Sequence, residues 1–352
     1  MRTEGSNRGA PAMMRGVRPS AQAPFRDTEP VLVAGPDRSG TTLMFALLAS
    51  HPEISMVRRT NMWRYFDRRY GDLSDPNHLE RCLDDMIGYR RMRHLQPNRD
   101  RIRREFLKGK PTYGRLFALF HEHNAERIGK RRWGDKSLHV EHYAERVLVD
   151  FPNARIIHMV RDPRDRYASV RRRHGQDISR VGAATGRWLI STRAGRRNRE
   201  RHPDNYLIVR YEDLARDPEG TMRTVCAFIG EFYSPDMLSM DGVPEHRDSG
   251  GNSSFGDLQP RAISTRGIGR YRDVLSPSEL TFIELVAGGD LAAMGYERAE
   301  VGLAAVARLR FCAWDLPVNL GRMVGWIALA RVRMWRGVRL PAFRIARGQQ
   351  PA

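Results

Sequence analysis

Four apolar residues in a row, Val31 to Ala34, follow a polar N-terminal stretch that ends at Pro30. So short a run without alternation predicts a strand buried on both faces. A glycine loop comes next, then TLMFALLASH, whose apolar positions cover most of a helix face. Two similar runs lie downstream, ARIIHMV at 154–160 and NYLIVR at 205–210. Each is followed by an Asp-Pro pair, Asp162-Pro163 and Asp217-Pro218, the cap and first-turn residues of a helix. Residues 60–130 read as charged helices, since LERCLDDMIGYRRM and TYGRLFALFHEHNAERI repeat apolar residues every three or four positions. SPSELTFIELVAGGDLAAMG opens on a capping box, Ser276 with Glu279, and predicts a helix ending at Gly295. Strands alternating with helices predict an α/β domain on a parallel sheet.

Three segments fall outside that alternation. Residues 1–29 hold Arg, Pro, Gly and Ala without the apolar run of a secretory leader, and read as a disordered basic arm. Residues 241–262, rich in Gly, Ser, Asn and Asp, read as a loop or mobile lid. Beyond Glu300, apolar stretches are studded with Arg and the only acid is Asp315. The chain thus divides into the arm, a domain at 30–298 with a helical insertion at 60–130, and a basic helical C-terminal extension at 299–352. No segment reaches the roughly 18 apolar residues of a transmembrane helix.

A net charge of +19 over 352 residues favours an anionic partner. Only Lys108, Lys110, Lys130 and Lys136 are lysines, and an arginine skew of this kind also arises from genome base composition, so charge alone excludes little. The 41% hydrophobic content excludes disorder throughout. Cys82, Cys226 and Cys312 form neither a disulfide framework nor a zinc-ligand spacing, which points to a reducing, cytoplasmic setting.

The loop GPDRSGTTL at 35–43 nearly matches the nucleotide-binding pattern G-x-x-x-x-G-K-[ST]. Thr42 stands at the hydroxyl position, but Thr41 replaces the lysine, and a cation comes three residues early as Arg38. Backbone N–H groups of such a loop, with the helix N-terminus after it, make an anion nest whatever the side chains are. One guanidinium beside the hydroxyls of Ser39, Thr41 and Thr42 suits an anhydride less charged than a β,γ-phosphate pair, with no metal. A phosphosulfate is such a group. Arg161 ends the second predicted strand, and Ser169 lies about two turns into the next helix, an arrangement suited to a second phosphate. Taken alone, Arg161 fits an ion pair with Asp162 or Asp165 equally well.

RSGTTL followed by HPEI, then IIHMVRDPRDRYASV, VRYEDL and RGIGRYR, resembles the sulfotransferases that use 3′-phosphoadenosine 5′-phosphosulfate (PAPS). WGDKS is similar to the bacterial branch of that family. The resemblance runs from about Val31 to Gly295 and implies a P-loop-like parallel sheet flanked by helices, with 60–130 on the acceptor side. It implies that Arg38, Ser39, Gly40, Thr41 and Thr42 hold the 5′-phosphosulfate, and that Arg161 and Ser169 hold the 3′-phosphate. It further implies that Tyr211 lies near the adenine and that Arg266 and Gly267 close on the 3′-phosphate. PAPS is then the co-substrate, released as 3′-phosphoadenosine 5′-phosphate (PAP), with no metal.

Lys136 keeps a lysine in a chain of arginines, and the family places a lysine in this region against the moving sulfuryl group. The general base is less legible. One branch of the family has a histidine two residues after the lysine, where this chain has Leu138, and another has a glutamate just after HPxI, where it has Arg58 and Arg59. His139, Glu141 and Asp135 are the candidates in that order, and a partly buried structural histidine is an equal reading of His139. The expected reaction moves a sulfuryl group to a hydroxyl or amine of a carbohydrate, glycolipid or other small metabolite. A P-loop small-molecule kinase with Asp162 on magnesium is the runner-up, and a non-catalytic basic membrane-surface protein the third reading. No nucleic-acid motif accompanies the charge. Residues 301–347 admit two readings, peripheral contact with the inner face of an anionic membrane or a helix packed on the domain with a solvated Arg face.

Overall fold

The computed structural model describes residues 29–137, 139–174, 180–248 and 263–336. The basic arm up to residue 28, Leu138, the 249–262 part of the expected lid and the tail from 337 lie outside the described residues. Five parallel strands form one sheet in the order β2-β3-β1-β4-β5. They are β1 (Val31–Ala34), β2 (Ile54–Arg58), β3 (Arg132–Lys136), β4 (Arg155–Val160) and β5 (Tyr206–Arg210). The parallel α/β sheet is as expected, with two more strands than the hydrophobic pattern indicates. WGDKS, expected ahead of the second strand, is itself largely β3.

β3 escapes the pattern because its polar residues are buried and satisfied by distant partners. All five of its residues are buried. The Arg132 guanidinium donates to the carbonyls of Glu29 (2.5 Å) and Ile229 (2.6 Å) and pairs with Glu231 (3.0 Å). At Gly134 a Cβ would lie 2.6 Å from the Val31 carbonyl oxygen, so β1 approaches β3 only because that side chain is missing. β1 itself alternates between two cores. Val31 and Val33 pack with the Thr41–Ala49 and Pro218–Ile229 helices, and Leu32 and Ala34 with the Pro76–Gly88 and Tyr113–Arg127 helices. Burial on both faces is what an uninterrupted apolar run requires.

The expected caps are present. Asp162 accepts from the Arg164 N–H, Asp217 from the Gly220 N–H, and Ser276 and Glu279 form the capping box of the Pro277–Ala293 helix. Gly295 then takes φ 73°, the left-handed stop that favours glycine. Part of the expected 241–262 loop is instead a short helix, Pro244–Asp248. At the C-terminus the Leu316–Arg336 helix lies along the Val181–Arg201 helix, close enough that Gly182 and Gly186 have no room for a side chain beside Asn319 and Met323. Among the described residues no helix is long and apolar enough to cross a membrane.

Gly134→Ala is expected to lower stability by about 1–3 kcal/mol through overpacking at the β1–β3 contact. A fall in the urea midpoint at constant m-value would show it. An unchanged midpoint would mean that the two strands can separate slightly at no cost.

Candidate functional site

The C-terminal ends of β1, β3 and β4 converge on the glycine loop, at the edge where open α/β sheets bind ligands. The loop leaves β1 at Gly35 (φ 119°) and enters the Thr41–Ala49 helix at Gly40 (φ 86°). Between them Arg38 holds φ 65° without being glycine, a conformation costing on the order of 1–3 kcal/mol that the surroundings must impose. They do so from two sides. Buried Arg166 donates through Nε to the Asp37 carbonyl (2.9 Å) and through Nη2 to the Asp37 carboxylate (2.7 Å), where Arg187 also reaches at 3.2 Å. Burial pushes the Asp37 pKa up, but the two guanidiniums outweigh it and hold the carboxyl well below the usual range. On the other side Glu141 accepts the Gly35 N–H (3.3 Å) and the Ser191 hydroxyl (2.7 Å).

Arg161 leaves β4 into this site. Its Nη2 donates to the Gly267 carbonyl (2.7 Å), its guanidinium stands 4.4 Å from the centroid of the Tyr211 ring, and its Nε is buried without a partner. The ion pair with Asp162 or Asp165 does not form. Asp162 pairs with Arg164 (2.6 Å), which bridges to Glu284 (2.7 Å), while Asp165 accepts the N–H groups of Gly269 (2.7 Å) and Tyr271 (2.9 Å). The Ser169 hydroxyl accepts from Arg38 Nε at 2.9 Å, so two residues expected at different phosphates are in direct contact. Ser39 is fully buried and its hydroxyl has no partner. Tyr211 packs on Gly40, where a Cβ would come within 2.6 Å of its ring. Thr41 and Gly267 are buried and Thr42 is half-buried, whereas Arg266 is exposed, its backbone N–H turned to Ser264.

Lys136 ends β3, with Arg58 of β2 as its register partner. Burial, reinforced by the Arg59 charge, lowers its ammonium pKa to about 8. Among the candidate bases, Asp135 is buried and accepts from Thr60 (2.5 Å) and Ser137 (2.7 Å); burial outweighs those bonds and raises its pKa to about 6. Glu141 is committed to Gly35 and Ser191. His139 lines a cavity of ≈ 290 Å³ with Asp37, Arg64, Tyr143, Arg187 and Trp326. The donor atoms of His139, Glu141 and His142 lie within 4.8 Å of one another, so these three residues are near enough to share a cation, but one Glu141 oxygen already serves the loop at Gly35 and the other accepts from Ser191.

The structure therefore joins Arg38, Ser39, Gly40, Arg161, Ser169, Tyr211 and Gly267 into one connected site and leaves Arg266 at its rim. The residues that hold the site in shape, Asp37, Glu141, Asp165 and Arg166, were not identified as such from sequence. For Asp165 and Arg166 the only signal is the density of charge in RDPRDR, which reads equally well as a solvated helix start, and nothing local marks Asp37 or Glu141 as an anchor. Asp165→Ala is expected to strand two backbone N–H groups, costing about 1–3 kcal/mol. Limited proteolysis should then cut faster within 263–271, and an unchanged rate would mean that this segment is anchored elsewhere.

The protein-family model described as the Sulfotransferase family matches residues 30–235. Carbohydrate sulfotransferase 2 of Mus musculus is 34% identical over 94 residues, 27% of this chain and 17% of that protein. Carbohydrate sulfotransferase 5 of Mus musculus is 28% identical over 170 residues, 41% of this chain and 42% of the relative. The chain thus spans under half the length of either relative. In fold it is similar to the sulfotransferase domain of the Synechococcus PCC 7002 olefin synthase, with a TM-score of 0.52 and 21% identity over 79% of this chain and 98% of that one. With a family match that takes in well over half its residues and includes both the glycine loop and the Arg161 segment, the chain belongs to the sulfotransferase family.

Proposed function

We propose that this protein transfers a sulfuryl group from PAPS to a hydroxyl or amine of a carbohydrate, glycolipid or other polar metabolite, releasing PAP. The observation that carries the reading is a pair of buried polar groups without partners, Arg161 Nε and the Ser39 hydroxyl, one on each of the two motifs. A buried polar group left unpaired costs about 1–3 kcal/mol, and an anionic nucleotide would supply both acceptors. The loop from Arg38 to Thr42 would hold the phosphosulfate, and Arg161, Ser169 and the Arg266-Gly267 turn the 3′-phosphate, with Tyr211 beside the adenine.

In the reaction, the acceptor oxygen or nitrogen forms a bond to sulfur as the bond from sulfur to the 5′-phosphate oxygen breaks. Negative charge grows on that leaving oxygen, where Lys136 and Arg38 are the cations at hand. The acceptor proton would pass to His139. Among the described residues no hydrogen bond commits its ring, whereas Asp135 and Glu141 are already engaged. The cavity beside His139 would take the acceptor, its Arg64, Tyr143 and Trp326 offering cationic and aromatic surface to a polyhydroxylated substrate. The similarity to two carbohydrate sulfotransferases supports that substrate class. The kinase reading needs Asp162 for magnesium, and that carboxylate is held by Arg164.

Calorimetric titration is expected to find PAP binding tightly and ATP with Mg²⁺ weakly. Arg161→Ala should cost PAP at least about 30-fold in affinity, the loss typical of truncating a buried charged hydrogen-bonding partner. Tighter binding of ATP with Mg²⁺ would replace this reading with the kinase. Since burial lowers the Lys136 ammonium pKa to about 8, kcat/KM should fall as pH rises through that value and the ammonium is lost. Lys136→Arg, which stays charged, should shift the fall to higher pH, and Lys136→Met should lower kcat by about 10²–10³-fold. A fall near pH 8 that persists in Lys136→Arg would remove Lys136 from this role.

A further inference from the structure

The C-terminal helices are apolar on two faces, set about 100° apart round the Leu316–Arg336 helix. On one, Leu316, Leu320 and Met323 join the core built on Val181, Ala184 and Trp188. On the other, Val306, Leu309, Ala313, Pro317, Val324 and Val332 are all exposed, and Gly321 and Ala328 complete the same three- and four-residue spacing. The stripe runs without a break through the Ala305–Arg310 helix, the Phe311–Asp315 π-helical turn and the Leu316–Arg336 helix, and contains no charged residue. At 1.5 Å per residue it is about 40 Å long. Six of the eleven exposed large hydrophobic side chains among the described residues fall within 306–332, Trp314 among them. A surface helix of a globular protein normally turns polar residues outward.

We propose that this stripe docks on the surface of an anionic lipid bilayer, lying in the interface parallel to its plane. Arg308, Arg310, Arg322 and Arg331 flank the apolar positions, and Asp315 is the only acidic residue beyond Glu300. Apolar side chains entering the acyl boundary, with guanidiniums at acidic headgroups beside them, are the two components of interfacial binding. The helix is not long and apolar enough to span. A second copy is the poorer occupant, because two such faces would set arginine against arginine. Residues 337–352 are no better, carrying Arg339, Arg344 and Arg347 and no acid. Docking also positions the cavity described above, because Trp326, Leu329 and Ala330 of the same helix form part of its wall. That wall would stand within about one helix diameter, roughly 10 Å, of the bilayer.

The test is co-sedimentation of the full chain with vesicles of phosphatidylcholine alone, and with vesicles containing roughly a third phosphatidylserine. The protein should pellet with the acidic vesicles, much less with neutral ones, and lose binding as salt is raised. Leu309→Asp with Val324→Asp, at positions lining neither the loop nor the cavity, should weaken partition at least about tenfold with an unchanged thermal midpoint. Arg322→Glu should weaken it on acidic vesicles alone. The proposal is overturned if the wild type stays in the supernatant with both vesicles, or if the double variant pellets as the wild type does. It is also overturned if light scattering finds a dimer that the double variant dissociates, which would make the stripe a contact between copies.

Discussion

A buried guanidinium keeps the glycine loop in shape. Arg166 is 1% exposed, and a charge so far from water is tolerable only when it is paired and hydrogen-bonded. Its partners are the carbonyl and carboxylate of Asp37 inside the loop and the Ala184 carbonyl on the Val181–Arg201 helix. Satisfying this one side chain therefore ties the loop to two helices at once. Glu141 repeats the arrangement with opposite sign, holding the Gly35 N–H from the segment after β3. Between the two anchors Arg38 is kept in a left-handed conformation that a freely moving loop would abandon. The anion proposed for this loop would meet a backbone already in position, so little ordering would oppose its binding.

The same economy governs the segment leaving β4. Arg161 turns to the Gly267 carbonyl, Asp162 and Arg164 neutralise each other and reach Glu284, Asp165 fastens the turn at 269–271, and Arg166 grips the loop. Six consecutive residues thus hold three separate pieces of chain around one point. Dense charge at a buried strand end is stable here because nearly every charge has an opposite partner or a backbone group within hydrogen-bonding distance.

What could be read from sequence follows the same physics. β1, β4 and β5 were visible because strands buried in a parallel sheet read as apolar runs, and the capped helices because caps are local chemistry. β3 was not, because Arg132 and Gly134 are justified by Glu29, Ile229 and Val31, and Asp135 largely by Thr60, all far away in sequence. The connected site residues were found through the order of motifs rather than through periodicity. Glu141 was ranked as a base, although its partners are a backbone N–H 106 residues away and a serine 50 residues on, distances no local pattern encodes. In the C-terminal segment the apolar positions did not fall on one helix face because they fall on two, one against the Val181–Arg201 helix and one open.

The strand order has a kinetic meaning as well. β1 sits in the middle of the sheet, yet its hydrogen-bonding neighbours are β3 at 134–135 and β4 at 155–158, while β2, the next strand made, pairs only with β3. Contacts so distant along the chain are slow to form, since each closes a long loop before any pairing rewards it. During synthesis the apolar run 31–34 must wait for about a hundred further residues before it has a strand to pair with, and the loop's anchors at Glu141 and Arg166 come later than that first neighbour. The glycine loop is made before either of its anchors and acquires its shape only after both.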